Sequence, residues 1–209
     1  MKTNIGKFGG YAYLIDLDVT KSNPQVPVLS VGDSDTFGIF YENNGFYAEF
    51  AFQDGSAPRR PNILGDYEAL YGHVKYSTKF AGCPVSVGVE YLDDGFVTPL
   101  ATVHAFNGFA DTFIFNRIGL PFANAGYEGI TDFYTNITKT GLPGDVVFKG
   151  FLHYFMDADL DANYGWEADV VLVKKINPST TALLKACYFQ GEDFFNDITQ
   201  VSLQVDYKF

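Results

Sequence analysis

The amino-acid sequence predicts an all-β protein: a transmembrane, antiparallel up-and-down β-barrel of about ten strands, in one domain over residues 1–209. Three observations predict it. Apolar and polar residues alternate with period two in about ten separate stretches, which puts each set on its own face of a strand. Phe (21), Tyr (14) and Gly (21) are abundant beside a single Trp and 2 Met, a balance that favours strands over helices. Short connections alternate with long ones, so tight turns gather at one end of the strands and long loops at the other.

The first strand is YAYLIDLDV, with Tyr11, Tyr13, Ile15, Leu17 and Val19 on one face and Asp16 and Asp18 on the other. TFGIFYE sets Phe37, Ile39 and Tyr41 against Thr36, Gly38, Phe40 and Glu42. Asn43-Asn44-Gly45 is a tight hairpin, since Asn-Gly accepts positive φ. FYAEFAFQ then places Phe46, Ala48, Phe50 and Phe52 opposite Tyr47, Glu49 and Gln53. In ALYGHVKYSTKF, Leu70, Val74, Tyr76 and Phe80 oppose His73, Lys75, Ser77 and Lys79; in VSVGVEY, Val85, Val87, Val89 and Tyr91 oppose Ser86 and Glu90. YEGITDFYTNIT and VVFKGFLHYFMD follow, the second with Phe148, Leu152, Tyr154 and Met156 opposite Lys149, His153 and Asp157. WEADVVLVKKI sets Ala168, Val170 and Leu172 against Glu167 and Asp169. TALLKACYF and VSLQVDYKF complete the set, the last with Val201, Leu203, Val205, Tyr207 and Phe209 on one side. ENNG, AGCP, TKTGLPGD and INPST are the short connections; residues 20–33, 54–67, 92–125, 159–164 and 191–197 are the others.

The apolar faces are almost free of charge, which suits lipid better than a soluble sandwich or lipocalin-like barrel, whose apolar face would be a packed core. No run of roughly 18 apolar residues offers a transmembrane helix. The opening MKTNIGKFGG has no apolar stretch and does not read as a secretory leader. A net charge of -11 argues against a nucleic-acid partner, which needs a basic face.

Two stretches, GYAYLIDLDV…SDTFGIFYENNGFYAEFAFQDG and FVTPLATVHAFNGFADTFI, together with the YKF terminus, resemble the alginate-export family of outer-membrane barrels. Thr98 to Asp111, TPLATVHAFNGFAD, is the most specific part. The resemblance implies a porin-like channel in the Gram-negative outer membrane. It would pass a small solute or an anionic polysaccharide, with outer-membrane lipid and the barrel assembly machinery as partners. Tyr207 and Phe209 look like the terminal assembly signal of such barrels. The chain is about half the expected length and matches the C-terminal portion, so it reads equally as part of a larger barrel. The family's arginine-rich lumen has no counterpart: Arg59, Arg60 and Arg117 fall in loops.

Lys75, Lys79, Lys149 and Lys185 are the expected lumen-facing cations, and Glu49, Glu90, Asp132, Glu167 and Asp169 the lumen-facing acids. The plain alternative is charge balance, with these groups pairing across a narrow, closed lumen. No enzyme is expected: His73, His104 and His153 lack acid and nucleophile partners at any catalytic spacing. Asp157, Asp159 and Asp161 do not make an EF-hand, because Ala162 stands where the loop requires Gly. Cys83 and Cys187 form no zinc pattern and are read as unpaired thiols. No cofactor or metal is expected. Two readings remain beside the channel: a truncated or narrow closed barrel with a structural role, and a soluble β-barrel that binds a small apolar ligand.

Overall fold

A computed structural model describes residues 2–3, 5–16, 33–57, 65–98, 107–114 and 127–209. Leu17, Asp18, Val19, Arg59, Arg60, His104, Arg117 and most of TPLATVHAFNGFAD lie outside those residues. The described chain is all-β and forms one antiparallel sheet whose strands are neighbours in chain order throughout. They are β1 (Lys2–Thr3), β2 (Gly6–Ile15), β3 (Ser34–Asn43), β4 (Phe46–Ala57), β5 (Gly65–Phe80), β6 (Cys83–Leu92), β7 (Ile130–Leu142), β8 (Val146–Met156), β9 (Asn163–Asn177), β10 (Thr180–Gly191) and β11 (Ile198–Tyr207). One turn of 3-10 helix, Pro143–Asp145, joins β7 to β8. Among the described residues the ladder is open: no pairing joins β11 back to β1 or β2.

Local chemistry fixes the hairpins at one end. Asn44 and Gly45 take φ of 47° and 86°, and Ala81 and Gly82 take 48° and 77°, the paired positive values that suit a two-residue hairpin turn. Ser179 donates its backbone N–H to Asn177 Oδ1, closing the β9–β10 turn. Two strands run further than the alternation indicates. β4 continues to Ala57 and β5 starts at Gly65, so much of the expected 54–67 loop is ladder. Asp54, Gly55 and Asp66 resemble loop residues, yet backbone pairing tolerates them: Asp54 faces Glu68, Gly55 faces Tyr67 and Ser56 faces Asp66.

Register divides every strand into two faces. Large apolar side chains from β3 to β11 share an outer face and are exposed there, including Ile39 at 66%, Phe80 at 73% and Leu203 at 73%. The inner face is filled at its long-loop half. Ala51, Ala69, Leu92, Ile130, Phe155, Tyr164 and Phe189 form its buried apolar cluster with Phe96, Val97 and Phe113 of the β6–β7 connection. β2 is the exception to the sequence reading. Tyr11, Tyr13 and Ile15 face inward there, and Phe8, Ala12 and Leu14 face outward. The Tyr11 ring lies over Gly38, where any Cβ would collide with it, and its hydroxyl donates to Glu49 at 2.6 Å. An aromatic against small residues gives the same alternation either way round, so the face was set by these cross-strand partners.

Candidate functional site

The inner face carries a row of carboxylates whose ladder positions adjoin one another. Glu49 on β4 faces His73 on β5, His73 faces Glu90 on β6, and Glu90 faces Asp132 on β7. Asp132 in turn faces Phe155 on β8, whose neighbour two residues back is His153; His153 faces Glu167 on β9. Asp169, two residues on, faces Cys187 on β10. Asp132, Glu167 and Asp169 are buried, whereas Glu49 and Glu90 are partly so. Carboxylates in such a setting need hydrogen bonds or counter-charges, because stripping water from them costs several kcal/mol apiece.

Most of them are supplied from within the sheet. Glu49 accepts from the hydroxyls of Tyr11 and Tyr47. Glu90 accepts from Tyr71 at 2.8 Å. His153 Nδ1 lies 3.0 and 2.9 Å from the two oxygens of Asp132. His73 Nε2 is 2.7 Å from the Tyr134 hydroxyl.

The rest come from the β6–β7 connection, which turns down onto the inner face as two short pieces, 93–98 and 107–114. Val97 exchanges two hydrogen bonds with Gln53, one through its N–H and one through its carbonyl, each 2.9 Å. Gln53 also donates to Thr36 at 2.7 Å. Phe96 stacks on Tyr71 with centroids 5.5 Å apart. Asn107 donates from one amide nitrogen to both Glu90, at 2.8 Å, and Asp132, at 3.0 Å. The backbone N–H groups of Phe109 and Ala110 both donate to Glu167 Oε1, at 2.5 and 2.8 Å. Beyond them Phe113 packs edge-on to Phe155, Phe189 and Phe195.

Gly108 makes this seat. Its φ is +88°, and a Cβ there would lie 2.4 Å from Glu167 Oε2 and 2.5 Å from Cδ and Oε1. Only a residue without a side chain lets successive N–H groups approach one carboxylate oxygen so closely, which is an anion-binding backbone arrangement with a protein carboxylate as its anion. The connection is therefore an inserted plug held by Asn107 at one end, Glu167 in the middle and aromatic packing at the other.

Among the described residues no ion pair joins the four lysines to the acids of this row. Lys75, Lys79, Lys149 and Lys185 sit on the inner face by register, and Lys79 and Lys149 are exposed. Lys75 Nζ stands 5.3 Å from the Tyr47 ring centroid and Lys185 Nζ 5.6 Å from that of Phe109. Lys79 pairs with Pro84 near the β5–β6 hairpin, and Lys149 pairs with Thr138 and Val171. Tyr207 ends β11 opposite Thr180, and Phe209 beyond it is fully exposed.

Cys83 and Cys187 are free and buried. Glu167, Asp169 and Cys187 bring one ligand atom each to within 4.8 Å of one another, a combination that could hold a metal ion. Sequence spacing missed this grouping, because the three residues meet across the β9–β10 pairing. A cavity of about 200 Å³, lined by Phe109, Asp111, Lys185, Cys187, Gln200 and Ser202 among others, opens beside Cys187. No protein-family model matches the chain, and no curated protein matches it.

Proposed function

We propose that the chain is a porin-like channel wall of the Gram-negative outer membrane, a transmembrane β-barrel for passive passage of a solute, with no catalytic role. The observation that carries this reading is the outer face. Phe37, Ile39, Phe50, Val74, Phe80, Val87, Leu152, Val201, Leu203 and Val205 are all exposed on it. Charged side chains, in contrast, concentrate on the inner face. A contiguous exposed apolar surface of this extent favours hydrocarbon as its medium. Outer-face aromatics add support in two groups. Phe8, Tyr41, Phe46 and Tyr76 lie toward the hairpin end, while Tyr154, Trp166 and Tyr188 lie toward the other. Girdles of this kind sit at the two membrane interfaces of outer-membrane barrels.

The resemblance of Thr98 to Asp111 and of the YKF terminus to alginate-export barrels supports the outer membrane as the location. It also supports an anionic polysaccharide or small solute as the cargo, and lipid and the assembly machinery as partners. A second reading, a closed barrel with a structural role, is favoured by the plug, whose residues 107–114 occupy the inner face over β6 to β10. Refolding into detergent tests the shared part of both. The folded protein is expected to require micelles and to migrate differently on a gel before and after boiling. A monodisperse monomer in plain buffer would remove the membrane reading, and planar-bilayer conductance then separates the open channel from the closed barrel.

A further inference from the structure

We propose that Glu167, Asp169 and Cys187 form a binding site for a divalent transition-metal ion of the zinc class on the inner face of β9 and β10. The inference goes beyond channel function and holds for either medium. It starts from carboxylate oxygens that the fold leaves unsatisfied. Both oxygens of Asp169 and the Oε2 of Glu167 are buried without a hydrogen-bond partner. Glu167 is 0% exposed and Asp169 2%. Every other carboxylate of the inner row has donors. The Phe109 and Ala110 amides occupy Glu167 Oε1, and His153 and Asn107 occupy Asp132. One carboxylate oxygen each of Glu167 and Asp169 and the Cys187 sulfur lie within 4.8 Å of one another, a spacing that one ion can bridge.

The neighbouring histidine fits the same assignment. His153 turns Nδ1 to Asp132 and Nε2 toward Asp169, whose Oδ2 lies 3.9 Å away. That separation is too long for a hydrogen bond, and the ring borders the three ligand atoms that lie within 4.8 Å of one another. The donor set selects the metal. A thiolate beside two carboxylates favours zinc and its neighbours, while calcium and magnesium prefer oxygen alone. The cavity beside Cys187 gives a path for entry, with Asp111 and Lys185 both at its wall. Binding would release the thiol proton.

Cobalt(II) added to the refolded, detergent-solubilised chain is the direct test. The expected result is uptake of one ion per chain with a thiolate-to-cobalt charge-transfer absorption, and its displacement by zinc. Cys187→Ser should abolish that absorption, while Cys83→Ser retains it. Asp169→Asn should weaken cobalt binding by about 100-fold or more, and His153→Gln by roughly 10–100-fold, the range found when a supporting partner is lost. Absence of uptake by the unmodified chain would overturn the proposal and leave protons to balance these acids. An absorption that survives Cys187→Ser, or that is lost with Cys83→Ser, would overturn it as well.

Discussion

Gly108→Ala is the sharpest perturbation of the plug. Two separable penalties follow from the geometry. The first is conformational: an L-residue at φ +88° costs roughly 1–2 kcal/mol relative to glycine. The second is contact. The new methyl would stand 2.4 Å from Glu167 Oε2, and Glu167 is walled in on β9 with 0% exposure, so the plug must retreat rather than the strand. Retreat lengthens the hydrogen bonds from Phe109 and Ala110 to Oε1, each of which has a charged acceptor and contributes roughly 1.5–3 kcal/mol. Losing one of them brings the total to roughly 2.5–5 kcal/mol, which lowers the docked population by about 60-fold or more. Gly82→Ala is the matched control: φ is +77° there, and a Cβ would meet nothing within 4 Å. Amide hydrogen exchange at Phe109 and Ala110 in micelles reads the difference. Gly108→Ala should accelerate exchange there by about two orders of magnitude, and Gly82→Ala should leave it at the wild-type rate. Equal protection in all three proteins would refute the seat on Glu167.

Asn107→Ala removes the one amide that bridges Glu90 and Asp132, and should destabilise the folded state by roughly 1–3 kcal/mol; a denaturant midpoint equal to wild type would show that the bridge is not formed. In planar bilayers any conductance should favour cations, because the acids of the inner face outnumber its lysines, and Lys149→Glu with Lys185→Glu should strengthen the preference. Reversal potentials showing anion selectivity would count against the charge balance and for a polyanionic cargo. Among the described residues no further strand pairs with β11 or with Gly9–Ile15 of β2, and those edges must be paired if the sheet lies in hydrocarbon, so amides of Gly9–Ile15 and Ile198–Tyr207 should exchange slowly in micelles. Loop-like exchange along both edges would mean an open sheet in water.

The strands were legible because their alternation is driven by one strong contrast. From β3 onward, Phe, Ile, Val and Leu alternate with Gln, Glu, Lys and Ser, and one assignment keeps most charge off the apolar side, the exceptions such as Asp35, Asp54, Glu68 and Lys174 standing toward strand ends. β2 lacked that contrast. Tyr11 and Tyr13 read as apolar, yet their hydroxyls let them serve the wet face, and the Gly9–Gly10 pair beside them carried no vote. Strand ends were misplaced where polar residues stand in ladder positions, as at Asp54 and Asp66, because pairing there depends on backbone groups that every residue has. The individual acids were visible as alternating residues. Their assembly was not, since Glu90, Asp132, Glu167 and Cys187 come together only through the register of successive hairpins.

The plug shows why this part of the fold needed the tertiary structure. NGFAD signals a turn in sequence, with Asn107, Gly108 and Asp111 all at positive φ, but a turn in a long connection normally faces solvent. What draws it inward is the demand of the sheet itself. Strands that turn their apolar residues to the outside must place Glu90, Asp132 and Glu167 on the inside, and the tyrosines and histidines of that face satisfy only part of them: Tyr71 serves Glu90 and His153 serves Asp132. The remaining donors have to come from elsewhere. The β6–β7 connection brings the Asn107 amide and the Phe109 and Ala110 N–H groups, and Phe113 closes the apolar gap behind them. The outward-facing hydrophobic pattern and the inward-folded loop are thus two halves of one requirement. Asp169 and the second oxygen of Glu167, buried side by side without a hydrogen-bond partner, are where that requirement is still unmet by protein groups alone.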